Sequence, residues 1–401
     1  MSTQRASNVL VMQSGGPTPV INRSLVGIVR EAASRNEVGG IYGAVHGLEG
    51  LLAGNILDFG KQTKQTLDRV ANTPAAALGS TRRRLRDEDI KPILDRLKKL
   101  DVRYCFIIGG NDSADTGLRL GQAAENAGLE LHVLCVPKTI DNDLVETDHS
   151  PGYGSAARFV ALATMGAGRD AEAMGIAAPI TVIEAMGRDA GWLAAAAALA
   201  RRDERDAPHA LGLPEIPINE DRFLTLMENA YRGFGFAVAV VAENAQSEQG
   251  RFGGGESPQR VDDFGHPYFQ GAGGYLSRLL ESRLKVRVRY EHPGTIQRTM
   301  AACVSRSDAT EAEMVGRAAV RFALDGHTGH MVALVRNSNR PYECTVALAP
   351  LERVAGQVKR MPDVYLDVAN YQTTPAFTDY AQPLIGPLPR FGRLDTHGGP
   401  R

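Results

Sequence analysis

Short apolar runs alternate with amphipathic stretches along the first third of the chain. NVLVM (8–12), YCFII (104–108) and HVLCV (132–136) have the length of buried strands, whereas Val20 to Ala33 and Asp115 to Asn126 carry helical spacing. That order predicts βα units around a parallel sheet. A second series opens with ITVIEA (180–185) ahead of a helical GWLAAAAALAR. It continues with HALGL (209–213) ahead of EDRFLTLMENAYRG, then FAVAVVAEN (236–244). A helix over 270–284, a strand VRVRY (286–290), a helix over 309–325 and a strand HMVALV (330–335) follow. Two sheets of similar design are expected. Between Asn244 and His266 the polar, glycine-rich QSEQGRFGGGESPQRVDDFG reads as an exposed loop, and from about Gln382 the many Pro and Gly predict an extended tail.

At 401 residues the chain exceeds what one ordinary core serves, so two domains or one enlarged α/β unit are expected. Charge excludes some partners. The 45 Lys and Arg against 46 Asp and Glu give a net charge of -1, which makes no general case for nucleic acid or an anionic membrane, so any anion site must be local. Cys105, Cys135, Cys303 and Cys344 show neither metal-ligand nor disulfide-framework spacing, and reduced thiols in a cytoplasmic protein are expected. The N-terminus has no signal-peptide pattern, and the alanine-rich run Trp192 to Ala200 is too short to cross a bilayer.

Open α/β sheets bind ligands beyond the carboxyl ends of their strands, and the unusual residues gather there. Ser14-Gly15-Gly16-Pro17-Thr18 follows the first run, Gly109-Gly110-Asn111-Asp112-Ser113 the second and Lys138 to Asp143 the third. Met186-Gly187-Arg188 follows ITVIEA, and Glu243 closes FAVAVVA. Each group taken singly also fits an ordinary turn. Arg82-Arg83-Arg84, next to Arg86, Asp87, Glu88 and Asp89, reads as a solvated loop face. There is no G-x-x-x-x-G-K-[ST] and no G-x-G-x-x-G after a strand, so a phosphate would be held without a Walker motif.

Taken in order, SGGPTPVINRSLVGIV, LGSTR, GGNDS, PKTIDND, IEAMGRDAGWLAAA and PGTIQR resemble the phosphofructokinase family, over most of the chain from Asn8 to about Arg336. The resemblance implies two similar Rossmann-like three-layer α/β domains with the active site in the cleft between them. The donor domain would comprise 1–148 plus about 299–381, the sugar-phosphate domain 149–298, and a tail 382–401. It implies reversible phosphoryl transfer to the 1-hydroxyl of fructose 6-phosphate with Mg2+, by a cytoplasmic homodimer or homotetramer. Asp141 would take the proton of the sugar hydroxyl, with Asp143 supporting its loop. Thr139 would touch the transferred phosphoryl or the sugar, and Arg188 would stabilise charge on the transferred group. Gly15, Gly16 and Arg82 would serve the donor, Met186, Gly187 and Glu243 the sugar, and Arg289 and Arg298 its 6-phosphate.

The family divides by donor at two positions. Members using ATP have glycine where Asp112 and Lys138 stand, and members using pyrophosphate have aspartate and lysine; a carboxylate obstructs the inner phosphate of a nucleotide, and an extra cation suits a small, highly charged donor. The resemblance therefore implies pyrophosphate. Its alternatives are ATP as donor, sedoheptulose 7-phosphate as acceptor, or a catalytically silent regulatory subunit. Three departures stand out. Asn111 replaces a magnesium-binding Asp, Pro179 replaces a 6-phosphate arginine for which Arg169 could substitute, and Thr295 stands in PGTIQR where relatives show His or Tyr. Tyr275 and Arg278 offer an alternative aromatic and basic pair.

Overall fold

The structure, a computed structural model, describes residues 6–252, 260–261, 267–268 and 271–394. Strand Ser7–Gln13 lies centrally in a seven-stranded sheet, parallel to Val38–Ala44 on one side and Val102–Gly109 on the other. His132–Pro137 and then His330–Asn339 extend the parallel set, and the antiparallel strands Tyr342–Pro350 and Ile56–Asp58 form the two edges. The apolar runs are unbroken because both faces are covered. Val9, Val11, Phe106 and Ile108 turn toward helices Ile21–Ala33 and Arg306–Leu324. Leu10, Met12, Cys105 and Cys135 turn the other way, toward Asp87–Lys99 and Asn111–Asn126.

The second sheet has four parallel strands in the order Val288–Glu291, Ile180–Ala185, Ala237–Ala242 and Ala210–Gly212. Helices Tyr153–Met174, Glu220–Phe234 and Ala272–Leu284 share its core. The architecture is thus the expected pair of α/β units. Among the described residues no helix is long and apolar enough to cross a membrane.

Several expectations need correction. Helix Asn111–Asn126 starts four residues before Asp115, so Asn111 and Asp112 belong to its first turn. The alanine run makes one α-turn, Trp192–Ala195, and continues as a 3-10 turn, Ala196–Ala200. Residues 299–381 are divided between the two cores. Helix Arg306–Leu324 and the hairpin His330–Pro350 complete the first sheet, but Met361, Leu366, Tyr371, Phe377 and Tyr380 are drawn into the second core, where their apolar surface is removed from water. Nor does the tail begin at Gln382: helix Pro375–Ile385 carries Leu384 and Ile385 into that core and ends at Gly386, whose φ is 70°. Arg158 and Arg169 then donate to the carbonyls of Pro387 and Gly392. Residues 395–401 lie outside the described residues. Of the expected loop, Gln246–Ser247 pairs with Gly250–Arg251, and 253–259 and 262–266 are outside the described residues.

The two halves are joined just after the PKTIDND turn. Asp308, at the start of Arg306–Leu324 and 2% exposed, accepts the N–H of Gly152 at 2.7 Å and of Ser155 at 2.9 Å, and so caps helix Tyr153–Met174 from another element. Removing that carboxylate strands buried donors. Asp308→Ala is expected to cost about 3 kcal/mol of folding stability, read by denaturant unfolding; a loss below about 1 kcal/mol would show that the cap contributes little.

Candidate active site

The first two strand ends meet at glycines. Gly15 has φ 78° and its N–H bonds to the Thr81 carbonyl at 2.9 Å, and a Cβ there would stand 3.1 Å from the Lys138 Nζ. A Cβ on Gly16 would stand 2.5 Å from Nη1 of Arg298. These glycines admit one cation from the same sheet and one from the opposite side of the cleft.

Lys138 follows strand His132–Pro137 and is 4% exposed, with its ammonium donating to the Gly16 carbonyl at 2.8 Å. The Thr139 hydroxyl accepts the Asp141 N–H at 3.0 Å, and Asn142 takes φ 55°, so the chain turns sharply between the two aspartates. Asp141 and Asp143 keep part of their surface open to the cleft. The protein packed around Asp141 desolvates its carboxylate and, with repulsion from Asp143, pushes it up to about 7, against the pull of Arg188. The same burial pulls Lys138 down to about 8, opposed by Asp141.

Across the cleft, Gly187 and Arg188 both have positive φ, 136° and 50°. Their turn is held from two sides. Glu243 accepts the N–H of Gly187 at 3.3 Å and of Arg188 at 3.0 Å through the same oxygen. Gln297, 1% exposed, accepts the Met186 N–H at 3.2 Å and donates to the Gly294 carbonyl at 3.2 Å.

One cavity is lined by Gly15, Gly16, Arg82, Asn111, Asp112, Lys138, Thr139, Asp141, Asp143, Met186, Arg188, Glu243 and Arg298. Of the triple arginine, only Arg82 lines it; Arg83 is paired with the buried Asp89. Gly187 shapes the turn beside the cavity without lining it. Arg289 is placed elsewhere: its guanidinium pairs with Asp170, because its strand runs at the sheet edge beside helix Tyr153–Met174. Arg169 is occupied by Glu172 and the Gly392 carbonyl, Thr295 is exposed outside the cavity, and Tyr275 donates to Glu220 at 3.1 Å, with Arg278 exposed on the same helix. Sequence reasoning assigned no role to three residues. Ser113 lines the cavity, Gln297 holds the turn, and Glu184, 3% exposed, accepts the Gly273 N–H at 2.9 Å behind Glu243. A single carboxylate inside the otherwise apolar ITVIEA was a signal for the last.

Asn111 is partly committed: its side-chain oxygen accepts the Asp112 N–H at 2.8 Å and its amide donates to the Gln357 carbonyl at 3.2 Å. Among the described residues the carboxylates of this cavity form no ready-made three-ligand cage. A donor set of Asp112, Asp143 and an amide oxygen suits a hard cation that keeps most of its ligands from phosphate and water, as magnesium does.

Residues 8–323 match the family described as Phosphofructokinase. The chain belongs to the phosphofructokinase family. It is 38% identical over 384 residues to the pyrophosphate–fructose 6-phosphate 1-phosphotransferase of Rhodospirillum rubrum, covering 94% of each chain. It is 37% identical over 384 residues to the protein of the same name from Xanthomonas campestris, covering 94% of this chain and 91% of that one. The crystal structure of a pyrophosphate-dependent phosphofructokinase from Nitrosospira multiformis superposes with a TM-score of 0.87 at 32% identity, over 98% of this chain and 95% of the other.

The two shifted groups bear on pH. With Asp141 as a base that must be unprotonated and Lys138 as a cation that must be protonated, kcat/KM should rise through about pH 7 and fall through about pH 8. The maximum is therefore narrow. Lys138→Arg keeps its charge, so the alkaline fall should flatten in that variant; an unchanged alkaline limb would assign it to another group.

Proposed function

We propose that this phosphofructokinase transfers a phosphoryl group from pyrophosphate to the 1-hydroxyl of fructose 6-phosphate, giving fructose 1,6-bisphosphate and phosphate, in either direction. The carrying observation is the pairing of Asp112 and Lys138 at the donor end of the cleft. Asp112 lines the reaction cavity and also a neighbouring cavity of about 850 Å³ bounded by Arg83, Arg84, Arg86 and Arg119. In this reading its carboxylate obstructs the rest of a nucleotide, which would extend toward that second cavity, whereas pyrophosphate needs only the first.

In this reading Asp141 orients the sugar hydroxyl and accepts its proton as the new O–P bond forms and the bridging O–P bond of pyrophosphate breaks. Arg188, on its constrained turn, faces the charge on the group in transit, while Lys138 and Arg82 receive the leaving phosphate. Glu243 offers its carboxylate to a sugar hydroxyl. Arg298, lying against Gly16, brings a cation from the sugar side to the donor side. Magnesium, held through donor oxygens with Asp112, Asp143 or Asn111 within the same cavity, supplies charge neutralisation when bound. A cytoplasmic homodimer or homotetramer belongs to the same reading.

Steady-state kinetics with both donors test the assignment. Pyrophosphate should far outperform ATP, and equal use of ATP would remove the donor assignment while leaving the family intact. Asp112→Gly should raise ATP-dependent turnover, since it deletes an obstruction and needs no new contact. Lys138→Gly should instead slow the pyrophosphate reaction by roughly 2–4 kcal/mol of transition-state stabilisation. Asp141→Asn should lower kcat on the order of 10²-fold or more with a modest change in KM. Near-normal turnover in that variant would take the base role away from Asp141.

A further inference from the structure

The catalytic turn is fastened from behind by chain that lies beyond the family-matched residues 8–323. Asn142, between the two cleft aspartates, is fully buried, and its side chain points away from the cavity. Its amide donates to the Tyr380 hydroxyl at 2.8 Å and its oxygen accepts the Ser150 N–H at 3.1 Å. The Tyr380 hydroxyl in turn donates to the Asp148 carbonyl at 2.9 Å, so both of its hydrogen-bonding capacities are used. One residue on, the Asp143 carbonyl accepts the N–H of Lys359 at 2.7 Å.

These anchors are themselves fixed. The Lys359 ammonium donates to the carbonyls of Thr147 and Asp148 at 3.1 and 2.7 Å, and its own carbonyl accepts the Trp192 indole N–H at 3.1 Å. Arg336 donates to the Tyr380 carbonyl at 2.6 Å and to Asp148 at 2.9 Å, with its guanidinium 4.5 Å from the centre of the Tyr380 ring. Helix Pro375–Ile385 bears Tyr380 and is seated in the second core through Phe377, Leu384 and Ile385.

We infer that Tyr380 and Asn142 are positioning residues for phosphoryl transfer, forming a tether by which the C-terminal segment holds Asp141 and Asp143 at their working angle to the cleft. Asn142 takes a left-handed φ between two aspartates that both line the cavity, and its buried hydrogen bonds fix that conformation. The tether holds it. A general base must sit within hydrogen-bond reach of its proton, and misplacement by about 1 Å can cost as much as 10²-fold in rate. The inference rests on Asp141 being the base.

The test uses the full chain with pyrophosphate and fructose 6-phosphate. Tyr380→Phe keeps the ring and removes the hydroxyl. Asn142→Gly permits the same φ and removes the amide. Each should lower kcat about 10-fold with KM for both substrates little changed, and the double variant should be no slower than either single one, because both break the same link. Phe377→Leu loosens the same helix without touching the tether; it should lower Tm and leave kcat unchanged. The inference is overturned if Tyr380→Phe turns over at the wild-type rate, if the loss lies in KM, if the two single effects multiply, or if Phe377→Leu lowers kcat as much. Asp141→Asn serves as the reference: near-normal turnover in that variant overturns the base assignment itself, whereas a slow Asp141→Asn beside a fast Tyr380→Phe overturns only the tether.

Discussion

Lys138 carries an ammonium into a part of the protein from which water is largely excluded, and much of the cleft answers to that one buried charge. An isolated buried cation is costly, so it needs partners. The Gly16 carbonyl supplies the direct one, and Asp141 and Asp143 supply the field. Gly15, left-handed at φ 78° and without a Cβ, leaves room for the ammonium to lie against the first strand-end turn. The ends of strands Ser7–Gln13 and His132–Pro137, which flank Val102–Gly109 in one parallel sheet, are thereby tied together.

Desolvation acts on Asp141 and Lys138 in opposite directions. It raises the acid and lowers the base, which brings their titrations close together. A donor arriving with its own negative charge would favour the protonated lysine. The surrounding architecture supports the cleft through contacts behind its lining: Asp308 capping helix Tyr153–Met174, Gln297 holding the Met186 turn, and the C-terminal segment behind Asn142.

How much of this could be read from the chain depends on the range of the force concerned. A strand covered on both faces must be apolar throughout, so NVLVM, YCFII, HVLCV and FAVAVVA announced themselves, and the loops after them were where the chemistry lay. Strand Val38–Ala44 gave no such signal, since Gly39, Gly40 and Gly43 interrupt its apolar pattern. Helix Tyr153–Met174 escaped too, because Ala and Gly along much of its length let it pack closely and blur the usual polar face.

Local sequence determined the strands, the turns after them and the residue types on those turns, because backbone preference and burial of apolar runs act over a few residues. Tertiary structure alone decided which of those residues converge. It put Arg298 against Gly16, gave Arg289 to Asp170, moved the segment from Met361 to Ile385 onto the second core, and joined Asn142 to Tyr380 across 238 residues of chain. Such pairings depend on where separate elements meet in space once their apolar surfaces are buried, and sequence distance carries no record of that.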